Sequence, residues 1–227
     1  GKSYWMGSDD LGRDIYSRLV YGARISLIVA FWSIGMGSTL GFLLGIATGY
    51  FGGGLDLLSQ RVVDILLSFP PILLALALVA VLGTGVEKVV MATTVIFAPY
   101  TLRIIRAAVL SVHQNTYVEA ARAIGAGHLR IMARYILPNV AATFVVVASL
   151  QLGSAILIEA TLSFLGLGVP PPHPSWGRML SGGAEEYATE APWMVIFPGA
   201  AITLLVLGFN VFGDALRDVW DPKLRGR

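Results

Sequence analysis

Cysteine is absent from the 227 residues, which excludes disulfides, cysteine metal sites and thiol catalysis. Charge is scarce as well: 13% of the residues are Asp, Glu, Lys or Arg, against about 25% in a soluble domain. No HExxH or GxSxG motif occurs, and His113, His128 and His173 lie far apart in the sequence, so no metal site and no catalytic residue is assigned. Gly1-Lys2-Ser3 could only be the tail of a phosphate-binding loop, and the SYWMGSDD that follows does not continue as a helix, so no ATP site is assigned either. Fixed-period repeats and low-complexity tracts are also missing.

What fills the chain instead is apolar: hydrophobic residues make up 56% of it. Charge-free stretches cover 25–55, 65–86, 89–102, 135–158 and 191–213. A helix needs about 20 apolar residues to cross a bilayer core. Four stretches meet that length, and the third is extended by Ile104 and Ile105, with Arg103 and Arg106 reaching to the headgroups from its end. The expectation is an all-α, polytopic membrane protein, residues 1–227 forming one transmembrane domain with five spanning helices.

Lys and Arg placement orients it. Alternating crossings put Arg61, Arg103, Arg106, Arg122, Arg130, Arg134, Arg217, Lys223, Arg225 and Arg227 on one side, and Lys2, Arg13, Arg18, Arg24, Lys88 and Arg178 on the other. The richer side is cytoplasmic by the positive-inside rule. Residue 1 then lies outside, which predicts a sixth, N-terminal span upstream of it.

Outside the spans, residues 8–24 read as an amphipathic helix, interfacial or an ordinary solvated lead-in, with Leu11, Ile15 and Leu19 in register and an Asp14–Arg18 ion pair. Gly37, Gly41, Gly45 and Gly49 recur every four residues, a small-residue stripe that lets another helix approach closely. Tyr50 to Gly54 is a glycine-rich turn, and Phe69-Pro70-Pro71 interrupts the second span. The Pro- and Gly-rich 168–192 is read as a long irregular extracytoplasmic loop with Trp176 and Trp193 at headgroup level.

Two sets of residues are candidate functional groups. The first lies in the cytoplasmic loop 116–138, where a helical piece with Tyr117, Ala120, Ala121 and Ile124 on its apolar side meets a Gly125-Ala126-Gly127 corner, followed by a second piece from Leu129 to Ile136 ending at Pro138. Such a surface fits a partner's groove. The second set is Gln151, Glu159 and Ser163, spaced by multiples of four along one span and candidates for a polar substrate pathway, with snorkelling to the outer interface or a cap on an interhelical contact as the alternatives for Glu159. A secondary transporter is the competing class, and Glu159 is the one acidic group that would serve it.

At 119–138 the sequence resembles the ABC importer permease family, whose loop has the form EAAxxxG, nine residues, IxLP; Glu119, Ala120, Ala121, Gly125, Leu137 and Pro138 match, and Tyr135 stands where the family has Ile. GSDDLGRDIYSRLVYGARISL (7–27), SFLGLGVPPPHPSWGRMLSGG (163–183) and FNVFGDALRDVWDPKLR (209–225) are similar to the second membrane subunit of the dipeptide, oligopeptide and nickel group, with Ser8 in place of the usual Thr. The resemblance implies a multi-pass protein of a prokaryotic cytoplasmic membrane, and a heterodimer with a homologous permease subunit that forms the pathway. It further implies two cytoplasmic ATPase subunits that dock on the EAA-type loop, an external solute-binding protein, and no nucleic-acid partner. The chain would have no cofactor of its own, since ATP would be bound by the partner subunits. Peptide is the first expectation for the cargo and nickel the second.

Overall fold

Asp9 and Asp14 decide where the first helix begins. In the computed structural model, which describes residues 4–187 and 189–220, Asp9 accepts the backbone N–H groups of Leu11 at 3.0 Å and Arg13 at 2.8 Å and so closes a turn. A side chain that hydrogen-bonds its local backbone this way competes with helix. Asp14 then caps helix α1 (Ile15–Phe51), taking the Ser17 N–H at 3.0 Å and its hydroxyl at 2.5 Å. The Ser17 hydroxyl bond holds the Asp14 carboxyl below its ordinary pKa. The predicted helix over 8–24 is therefore corrected: 8–14 is a turn, and the helix from Ile15 runs unbroken into the first span. The predicted Asp14–Arg18 pair is corrected too, since Arg18 lies 3.4 Å from Asp9 instead.

Gly52 and Gly53, at φ 64° and 61°, end α1 where the glycine-rich turn was expected. The remaining helices are α2 (Gly53–Leu67), α3 (Pro71–Leu82), α4 (Val86–His113), α5 (Thr116–Ala123), α6 (His128–Ile131), α7 (Leu137–Phe164), α8 (Trp176–Glu186) and α9 (Trp193–Trp220). A π-helical stretch, Met132–Ile136, joins α6 to α7. Among the described residues there is no strand, only an isolated bridge between Ser8 and Asp14.

Four continuous helices are long and apolar enough to span: Ile15–Phe51, Val86–His113, His128–Phe164 and Trp193–Trp220. A fifth results when α2 and α3, separated at Ser68–Pro70, count as one broken span. At 1.5 Å per residue, α3 alone reaches about 18 Å, short of a core about 30 Å thick. The stretch 65–86 is thus split as the prolines predict, and its first residues belong to α2. The chain is a polytopic, all-α membrane protein.

The described parts of Gly1–Ser33, Pro71–Thr93 and Leu152–Asn210 form one compact unit, and those of Ile34–Pro70, Thr94–Gln151 and Val211–Arg227 a second. In the second unit the glycine stripe meets α4. A Cβ at Gly41 would stand 2.8 Å from Thr101 Cβ and 2.9 Å from the Leu102 N, and one at Gly49 would stand 2.9 Å from Val109 Cβ. Only glycine permits so close an approach. Arg106 chelates Asp56 of α2, Nε to Oδ1 at 2.5 Å and Nη2 to Oδ2 at 2.6 Å, while Arg103 pairs with Asp64. Both acids lie on α2 and supply partners within the chain.

In the first unit, 168–192 is more ordered than its composition suggests. Trp176, 5% exposed, starts α8 and donates its indole N–H to the Leu19 carbonyl at 2.8 Å. Gly177 abuts the Ala160 backbone, and a Cβ at Gly183 would lie 2.9 Å from Met194 Cβ. These glycines serve close packing and leave the helix intact, which corrects the expectation of an irregular loop. The tail beyond Trp220, which carries Lys223, Arg225, Arg227 and the end of the 209–225 motif, lies outside the described residues.

Candidate functional site

The loop 116–138 is built on the second unit's core. Val118 (0% exposed) and Ala121 (3%) of α5 pack with Ile131, Ile136 and Val140 against Ile46 and Tyr50 of α1 and Ile105 and Val109 of α4. At about 100° per residue, Tyr117, Ala120 and Ile124 point roughly a quarter turn away. They face out, with Ile124 83% and the following Leu129 80% exposed. The predicted apolar side of the first piece is therefore split: Ala121 is buried, whereas Tyr117, Ala120 and Ile124 form an outer apolar surface beside the exposed Glu119.

Gly125 turns the corner at φ 79°, a left-handed conformation, and a Cβ there would meet nothing within 4 Å. Its N–H bonds the Arg122 carbonyl at 3.0 Å, and that of Ala126 bonds the Ala121 carbonyl at 3.0 Å. The second piece does not stop at Pro138. The Leu137 N–H reaches back five residues to the Met132 carbonyl, and the helix continues into α7 with Pro138 as its second residue. The wide π turn absorbs a residue that has no N–H to give, so proline is accommodated. Leu137 is 42% exposed.

Gln151, Glu159 and Ser163 all lie on α7 and all are buried, at 4%, 0% and 2% exposure. In the second unit, Ser38 donates to Gln151 Oε1 at 2.6 Å and Gln151 Nε2 donates to Thr101 at 3.0 Å. In the first unit, Glu159 accepts the Ser26 hydroxyl on Oε2 at 2.8 Å and the Ser163 hydroxyl on Oε1 at 2.7 Å. Each polar group is met by its own chain. The spacing along α7 is as expected, but the partners on α1 and α4 could not be read from that spacing.

One group of side chains carried no motif and was missed. Tyr50, 7% exposed, is hydrogen-bonded through its hydroxyl to His128 Nδ1 at 2.9 Å, and its ring meets His113 edge-on at 5.5 Å between centroids. Arg122 lies over the ring at 5.8 Å and donates to His113 Nε2. Among the described residues no group of three His, Asp or Glu side chains is arranged to hold a metal ion.

Apolar helices of spanning length, tied by buried hydroxyl and amide bonds and carrying a helical corner with an apolar outer face, define a multi-pass membrane transport subunit. The model of the family described as binding-protein-dependent transport system inner membrane component matches residues 41–226, and the chain belongs to that family. It is similar to the dipeptide transport system permease protein DppC of Alkalihalophilus pseudofirmus, 46% identical over 222 residues, covering 98% of this chain and 73% of the relative. It is also similar to the glutathione transport system permease protein GsiD of Pectobacterium atrosepticum, 44% identical over 223 residues, covering 98% and 74%. Among solved structures, an inward-facing MetNI methionine ABC transporter shares the fold with a TM-score of 0.75 at 22% identity, over 91% of this chain and 98% of that one.

Proposed function

We infer that this chain is a non-catalytic permease subunit of an ATP-driven importer of short peptides, working in the cytoplasmic membrane of a prokaryote. The observation that carries the reading is the outer face of the 116–138 loop. Tyr117, Ala120, Ile124 and Leu129 expose apolar side chains on a corner that is pinned to the core from behind. An exposed apolar helix face on a buried scaffold is suited to a partner's groove, and the partner proposed is a cytoplasmic ATPase that binds the ATP. Glu119, Ala120, Ala121, Gly125, Leu137 and Pro138 set that corner, with Gly125 supplying its left-handed turn. A second, homologous permease would complete the pathway, and an external solute-binding protein would deliver the cargo. The dipeptide and glutathione relatives supply the choice of peptide.

Gln151 and Glu159 are read as clasps between helices of this chain, with Ser163 holding the Glu159 carboxylate from the same helix, because all three are buried with partners in it. The coupling role is tested with Gly125→Val in the assembled complex. A β-branched residue is strained at φ 79°, so the loop should be misplaced while the spans still insert. ATP hydrolysis uncoupled from uptake, or loss of the ATPase from the purified complex, is expected. Normal uptake by a stable Gly125→Val complex would refute it.

A further inference from the structure

Beyond the loop's docking face, and resting on the coupling role just assigned to it, the geometry raises the question of how a push on α5 reaches the membrane helices. The peptide chain itself is a poor lever there. Between α5 and α6 lies the Gly125 corner, and past the end of α1 lie Gly52 and Gly53, all three with positive φ. Glycine at such positions gives the backbone freedom to swing. Rigid transmission from the two sides of the Gly125 corner to the end of α1 therefore depends on side-chain contacts.

Tyr50 makes them. It stands in the last turn of α1, two residues before Gly52. Its hydroxyl is bonded to His128, the first residue of α6, its ring edge meets His113 at the end of α4, and Arg122 of α5 lies over its face. Arg122 also donates to His113, which closes the ring of contacts. One side chain thus joins four helix ends, on both sides of the Gly125 corner. Tyr50 is 7% exposed while the His128 it holds is exposed, so the hydroxyl is the polar end of a side chain whose ring is packed. We propose that Tyr50 is a positioning residue for energy coupling: its hydroxyl bond to His128, with its ring contacts to His113 and Arg122, makes the 116–138 loop and the end of α1 move as one body when an ATPase pushes on α5. A tyrosine whose role were only to fill space would need the ring and not the hydroxyl.

The test separates ring from hydroxyl. Tyr50→Phe keeps the packing and deletes the bond, His128→Leu deletes it from the other side, and His128→Asn retains a polar atom about where Nδ1 stood. Each variant is assembled with its partner permease and ATPases in proteoliposomes, and substrate imported per ATP hydrolysed is measured. Tyr50→Phe and His128→Leu should each lower that ratio roughly three- to ten-fold, the range a single hydrogen bond commands. The double variant should be no worse than either single one, and His128→Asn should recover most of the ratio. If Tyr50→Phe does not assemble, the His128 pair decides alone, because that residue is exposed and its replacement leaves the core intact. An unchanged ratio in Tyr50→Phe, or equal losses in His128→Asn and His128→Leu, would overturn the proposal. Gly125→Val, run beside them, separates the two levels: normal coupling there refutes the loop's role, whereas uncoupling there with normal Tyr50→Phe refutes Tyr50 alone.

Discussion

Gly35 and Gly41 occupy one helix and meet opposite surroundings. A Cβ at Gly35 would find nothing within 4 Å, while one at Gly41 would be driven into the Ala98 carbonyl and to 2.8 Å from Thr101 Cβ. Gly35→Ala should be neutral or stabilising by up to about 1 kcal/mol, since alanine is the better helix former. Gly41→Ala should cost about 1–3 kcal/mol by overpacking. Thermal unfolding in detergent, followed by tryptophan fluorescence, distinguishes them, and equal effects would contradict the packing described. Glu159 offers a second contrast. Glu159→Gln keeps an acceptor for a serine hydroxyl and should leave uptake unchanged at saturating and limiting solute. Glu159→Leu strands the Ser26 and Ser163 hydroxyls and should destabilise by about 1–2 kcal/mol. A rise in half-saturating concentration with Glu159→Gln would instead return the carboxylate to the solute pathway. The four-residue period of the glycines was legible because it is local. The Ser26–Glu159 and Tyr50–His128 bonds were not, because 133 and 78 residues separate the partners.

At the scale of elements, apolar length announced the long helices, and the EAA-type spacing announced the loop that carries α5 and α6. Sequence reasoning failed where a residue's usual meaning was reversed by packing. Gly177 and Gly183 read as breakers yet sit inside α8 at close contacts, and Asp9 read as part of a helix yet closes a turn with its own side chain. Sidedness rests on Lys and Arg placement and is open to direct measurement, helped by the absence of cysteine. Ser181→Cys on α8 should react with a membrane-impermeant maleimide in intact cells. Arg130→Cys on α6 should react only after permeabilisation. The reverse pattern would invert the whole topology and remove the 116–138 loop from the reach of a cytoplasmic ATPase.

For the molecule as a whole, cargo is the property least encoded in the residues described. The buried polar groups of α7 are satisfied within the chain, so none of them advertises a ligand, and the role proposed for the loop face concerns energy and not selectivity. What bears on cargo is likeness: the two relatives carry names for dipeptide and for glutathione, solutes that share the peptide bond and a free carboxylate. A permease that receives its solute from a binding protein can leave much of the selection to that protein, which is consistent with a chain 44–46% identical to both relatives despite their different named solutes. The complete complex in proteoliposomes, with its binding protein outside and ATP within, should accumulate labelled dipeptide. Excess unlabelled peptide should suppress that uptake and nickel chloride should not. ATP trapped inside should be required, and the non-hydrolysable analogue should not replace it. Nickel accumulation without peptide uptake would transfer the chain to the metal branch while leaving the coupling loop untouched. Uptake driven by an ion gradient without ATP would instead make it a secondary transporter and remove the reason for the exposed face of α5.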